Sequence, residues 1–148
     1  MKILFLCKYN ILRSKVAEVY FKKINKNSKI KVSSAGFMKW GSPLYKKEIE
    51  VLNELGIKIT GKPRTLGKRL LDAQDLVIIV ADDVPKEMIK TKENNKKIIV
   101  WNVMDTNAKT DKVIIRKIIN KIIKRVDILV KDLENKKWKQ KQLKDLEM

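Results

Sequence analysis

A chain of 148 residues carrying 35 Lys and Arg against 17 Asp and Glu, a formal charge of +18, has the size of one domain and the field of an anion binder. Its single cysteine excludes an intrachain disulfide and a CxxC redox pair, and the absence of histidine removes the commonest metal ligand and the commonest general base. No apolar run approaches the roughly 18–20 residues needed to span a bilayer, and the start lacks the apolar region and small-residue cleavage site of a secretory signal, so a soluble, cytoplasmic protein is expected.

In chain order, Ile3-Leu4-Phe5-Leu6 is a short continuous apolar run, the pattern of a strand buried on both faces of a parallel sheet. Ser14 to Ile24 follows with Val16, Val19, Tyr20 and Ile24 spaced for an amphipathic helix. Lys29 to Ser34 alternates Ile30 and Val32 with polar residues and runs into Ala35-Gly36, which predicts a second strand ending in a turn. Tyr45 to Leu55 is predicted helical and stops at Gly56. Gly61, Pro63 and Gly67 mark a loop over residues 57 to 67, followed by a short helix at about 68–73.

Asp75 to Val80 and Lys97 to Trp101 are two further β-branched runs, with a helix predicted between them from Pro85 to Lys90. From Asp111 onward, Ile115, Ile118, Ile119, Ile122, Val126, Leu129 and Leu133 recur at helical spacing and predict a long helix packed on the sheet. The alternation of strand and helix favours an α/β domain over residues 1–134 with a parallel sheet. Residues 135–148, polar and charged around Trp138, read as a basic helical or frayed extension.

Chemistry concentrates in Cys7-Lys8-Tyr9-Asn10-Ile11-Leu12-Arg13-Ser14, between the first strand and the first helix. In open α/β sheets ligands bind beyond the carboxyl ends of the strands, and the helix N-terminus supplies free amides and a favourable dipole for an anion. A thiol placed there feels the same field, which favours the thiolate, the nucleophilic form. Arg13 can grip two oxygens of a tetrahedral oxyanion with its planar fork, and Ser14 can donate a hydrogen bond to sulfur. Spacing alone is weak, since the chain has five arginines, and a buried structural cysteine beside a surface arginine is the alternative reading.

This segment, followed by Ala17-Glu18, resembles the phosphate-binding loop of the low-molecular-weight protein tyrosine phosphatases and the related arsenate reductases. The likeness continues in order through Ser34-Ala35-Gly36, Trp40-Gly41-Ser42-Pro43, Leu55-Gly56-Ile57 and Asp75-Leu76-Val77-Ile78, covering about residues 2 to 133. It implies a three-layer, flavodoxin-like fold with a four-stranded parallel sheet and helices on both faces. It also implies a phosphocysteine intermediate, with no metal and no cofactor.

Carried onto this chain, the resemblance makes Cys7 the nucleophile and Arg13 the clamp on the phosphoryl group. Residues Lys8, Tyr9, Asn10, Ile11, Leu12, Arg13 and Ser14 form the phosphate-binding loop. Ser14 partners the thiolate, Asn10 fixes the loop with Ser34 as its hydrogen-bond partner, and Trp40 stands at the pocket wall, or else is a core or rim aromatic. A general acid is implied in the loop after the last strand, and Asp105 is the choice there. Thr106 departs from the usual proline, and Asp82, Asp83 and Asp111 compete, Asp111 also being a candidate helix cap.

Two other departures stand out: Tyr9 occupies a position that is usually glycine, where a left-handed backbone would cost about 1–2 kcal/mol, and Leu12 replaces a frequent second cysteine. The implied activity is phosphomonoester hydrolysis, with a phosphotyrosine protein among the candidate substrates and a monomer or weak homodimer as the form. The alternatives are a non-catalytic oxyanion-binding module, an arsenate reductase using an external thiol, and a nucleic-acid-associated basic protein. No nucleic-acid motif accompanies the charge, and the abundance of Lys, Ile and Asn accounts for much of it as composition, so no specific nucleic-acid or membrane partner is expected.

Overall fold

The computed structural model describes residues 1–89 and 97–135, and the expected extension beyond residue 135 lies outside them. Four strands, β1 (Lys2–Cys7), β2 (Lys31–Gly36), β3 (Leu76–Val80) and β4 (Lys97–Trp101), form one parallel sheet in the order β2-β1-β3-β4. Around it lie α1 (Arg13–Ile24), α2 (Lys46–Glu54), α3 (Lys68–Asp72) and α4 (Lys112–Glu134). The expected α/β architecture, a four-stranded parallel sheet with helices on both faces, is therefore present. The helix predicted from Pro85 to Lys90 is only a 3-10 turn at Lys86–Met88, with Lys90 outside the described residues.

The continuous apolar runs have the physical origin expected of them. Ile3 and Phe5 of β1 pack with Ile78 and Val80 of β3 against Val16, Ala17 and Phe21 of α1, Val51 and Leu52 of α2, and the apolar stripe of α4. Leu4 and Leu6, with Val77 and Ile79, face the other way toward Leu71 of α3 and toward Val84 and Ile89. Each fully buried side chain of this size contributes about 1.5–3 kcal/mol relative to an exposed one. Phe5 is the hub of the first layer, 6.0 Å from the Phe21 ring centroid and 5.9 Å from that of Trp101.

Two local signals end elements as predicted. Gly56, with φ of 68°, follows α2 in the left-handed conformation that glycine adopts at low cost. Asp111 caps α4 by accepting the Ile114 N–H at 2.9 Å, the capping role expected as its alternative.

The strand order positions the site. Chain leaving β1 returns through α1 to β2 on one side, whereas β3 pairs with β1 on the other, so the topology reverses beside β1. Connections diverge at such a switch point and leave a crevice beyond the strand ends. The segments following β1, β3 and β4 all reach this end of the sheet.

Candidate active site

Cys7 ends β1 and is 2% exposed, with its sulfur 2.9 Å from Ser14 Oγ in the first turn of α1. The donors around this pair can be followed atom by atom. Asn10 Nδ2 donates to Ser14 Oγ at 2.8 Å and to Ser34 Oγ at 3.0 Å, so its two amide hydrogens are used. Ser34 in turn donates to Glu18 Oε1 at 2.5 Å. Because Ser14 Oγ already accepts from Asn10, its own proton is free to point at sulfur. Burial pushes the Glu18 carboxyl up, but hydrogen bonds from Lys22 and Ser34, with the charges of Lys22 and Lys15, outweigh it and hold the group below its ordinary value.

The loop conformation depends on Asn10, whose φ of 58° is left-handed. Asn tolerates this region because its short polar side chain bonds locally, and here Oδ1 also accepts the Arg64 N–H at 3.0 Å. The expected strain at Tyr9 is corrected: the positive φ falls one residue later, so the usual glycine position is filled without it. Space for Tyr9 comes from its neighbours. A Cβ on Gly36 would lie 2.6 Å from the Tyr9 carbonyl carbon, and one on Gly41 would lie 2.5 Å from Tyr9 Cβ. Backbone bonds from Phe37 N to Cys7 O and from Met38 N to Lys8 O hold this close approach.

Arg13 opens α1 and is 3% exposed, a buried charge that must be paired. Its Nη1 donates to Val103 O at 3.0 Å, and its Nη2 lies 3.0 Å from an Asp83 oxygen. Asp82 stands 3.8 Å from Nη1 and Asp105 3.6 Å from Nη2. Three of the four carboxylates named as candidates from sequence, Asp82, Asp83 and Asp105, thus surround one guanidinium. They differ in where they face: Asp105 lines a cavity of about 130 Å³ together with Cys7, Tyr9, Ile11, Leu12 and Arg13, and Asp82 and Asp83 do not. Lys8 stays outside that lining, its ammonium 5.2 Å from the Tyr9 ring centroid.

Trp40 is not in this wall. It is 93% exposed, with φ of 70°, and borders an adjoining depression with Met38, Lys39 and Arg64 that shares Tyr9 and Ile11 with the cavity. The aromatics at the cavity are instead Tyr9, from the loop itself, and Tyr45, beside Ser42, Pro43 and Glu48. Sequence reading missed Tyr45 and Glu48 because their helix carries a tyrosine where the usual polar cap would flag a capping box. The bond that would have revealed it is Tyr45 N–H to Glu48 Oε1, 2.8 Å. Among the described residues, no group of three or more His, Cys, Asp or Glu could hold a metal ion.

Solved structures of similar shape cover nearly the whole chain. A low molecular weight protein tyrosine phosphatase from T. tengcongensis is 26% identical, with a TM-score of 0.70 over 89% of this chain and 99% of that one. An arsenate reductase from Archaeoglobus fulgidus DSM 4304 is 27% identical, with a TM-score of 0.66 over 86% of this chain and 98% of that one. A YwlE mutant from Bacillus subtilis shares the fold at 21% identity, with a TM-score of 0.75 over 91% and 99%. No curated protein matches the sequence. The family described as low molecular weight phosphotyrosine protein phosphatase matches residues 2–141, and the chain belongs to it.

Proposed function

We propose that the protein is a cysteine-dependent phosphomonoesterase acting on phosphotyrosine or another small aryl or acyl phosphate. The observation that carries this reading is the 2.9 Å approach of Ser14 Oγ to Cys7 Sγ, with Cys7 lining a cavity that Arg13 and Asp105 also line. In the first step the thiolate of Cys7 attacks phosphorus in line with the departing oxygen, forming the S–P bond as the P–O bond breaks. Arg13 and the amides of residues 8–14 take the charge on the equatorial oxygens. Asp105 gives its proton to the leaving oxygen.

In the second step the Asp105 carboxylate takes a proton from water, and that oxygen attacks the phosphocysteine. The S–P bond breaks, phosphate leaves and Ser14 hydrogen-bonds the returning thiolate. A lone catalytic thiol of this kind works in a reducing compartment, for which the cytoplasm is our choice. Among the described residues no helix is long and apolar enough to cross a membrane.

Hydrolysis of p-nitrophenyl phosphate by wild type and Cys7→Ser between pH 5 and 8, without added metal, tests the proposal. Turnover that vanishes with the thiol is expected, and full activity in folded Cys7→Ser would sink it. The 27% identity to an arsenate reductase favours a second reading, in which the thiolate adds to arsenate and an external dithiol supplies both electrons, because Cys7 is the only cysteine. Arsenite formation dependent on added dithiol would distinguish that route.

A further inference from the structure

The bonds made by Thr106 have no counterpart in the proline that the family resemblance implies at this position. Its hydroxyl donates to Glu48 Oε2 at 2.8 Å, and its backbone N–H donates to Asp105 Oδ1 at 2.8 Å. Proline has neither group. Glu48 is a firm anchor: it is 2% exposed, sits in the first turn of α2, and its other oxygen accepts the Tyr45 N–H at 2.8 Å.

We infer that Thr106, tied to Glu48, is the positioning residue that holds Asp105 over the cavity for proton transfer. The inference rests on the assignment of Asp105 as general acid and base. One hydrogen bond joins the loop after β4 to α2, across 58 residues of sequence. The other engages Oδ1 and leaves Oδ2 on the side of Arg13, 3.6 Å from Nη2. Proline would restrict the same loop by its ring, so the threonine replaces covalent stiffness with a hydrogen bond to a buried carboxylate. Proton transfer requires hydrogen-bond reach to the leaving oxygen, and a carboxylate free to swing would lose that geometry without altering phosphate binding.

The test compares wild type, Thr106→Val, Thr106→Ser, Asp105→Asn and the Thr106→Val/Asp105→Asn pair on p-nitrophenyl phosphate and phenyl phosphate. kcat/KM reports the step in which the leaving group departs, and phenoxide needs the proton far more than nitrophenoxide. Thr106→Val is expected to lose about 10-fold on phenyl phosphate and at most about 2-fold on p-nitrophenyl phosphate, with Thr106→Ser restoring most of the difference. Adding Thr106→Val to Asp105→Asn should cost little more, because the residue acts through the carboxylate.

A responsive Asp105→Asn beside a silent Thr106→Val overturns the tie alone. So does an equal loss on both substrates that persists in the Asp105→Asn background, which would mark a purely structural contact. An Asp105→Asn enzyme with wild-type leaving-group dependence overturns the acid assignment, and the inference with it.

Discussion

Tyr9 occupies the space that a side chain at residue 41 would need: a Cβ on Gly41 would lie 2.5 Å from Tyr9 Cβ and 2.7 Å from its Cγ. The bulky residue in the loop and the missing side chain in the neighbouring segment are two halves of one contact. Gly41→Ala should therefore displace Tyr9 and lower kcat/KM by about 10-fold, and Tyr9→Gly combined with Gly41→Ala should recover much of that loss. Steady-state kinetics of the two single variants and the pair check this, and additive losses would count against the contact.

Ser14→Ala removes the donor to sulfur and leaves one Asn10 amide hydrogen unpaired in a buried site. A drop in kcat of about 10–100-fold is expected, larger than the change in KM, because the hydrogen bond matters most while sulfur carries charge. Pre-steady-state release of p-nitrophenol against the steady rate shows which step slows; unchanged kcat would show that the thiolate does not depend on this donor.

Arg13→Lys keeps the charge and loses the fork. The shorter-reaching ammonium cannot simultaneously meet Val103 O, Asp83 and a phosphoryl oxygen as the guanidinium's several donors can, so kcat/KM should fall by about 10²–10³-fold. Inorganic phosphate inhibition provides the second readout and should weaken in parallel.

Glu18 predicts the acid side of the stability curve. Its folded value lies below the ordinary 4.5 because Lys22 and Ser34 bond the charged form strongly enough to overcome burial. A depressed carboxylate contributes stability that is fully present above its unfolded value and is lost as pH falls through the folded one. Denaturant melts from pH 7 down to pH 3 should show wild type losing stability below about 4.5, with Glu18→Gln losing less over that window. Identical slopes for the two proteins would contradict the assignment.

The first half of the site was open to sequence reading because its parts are covalently close. Cys7, Arg13 and Ser14 fall within eight residues, so a buried strand, a loop and a helix N-terminus bring them together with few alternatives, while the role of Asn10 was implied by the family resemblance. The four strands and α4 were equally accessible, since burial on both faces of a parallel sheet and on one face of a helix leaves periods that a sequence displays. Where local signals were ambiguous the reading slipped. The segment after Pro85 has only a 3-10 turn, and the left-handed residue of the loop is Asn10, beside the Tyr9 that departs from the usual glycine.

By itself, then, the sequence determined the parallel α/β fold and the placement of Cys7, Arg13 and Ser14 at the mouth of β1, because neighbours in the chain are constrained by bond geometry and hydrophobic period. Tertiary structure alone decided which of Asp82, Asp83 and Asp105 lines the cavity, that Tyr45 rather than Trp40 stands at its wall, and that Glu48 receives Thr106. Those relations join residues far apart in the chain, and they arise only when β1, β3, β4 and α2 pack and bring their ends to one crevice.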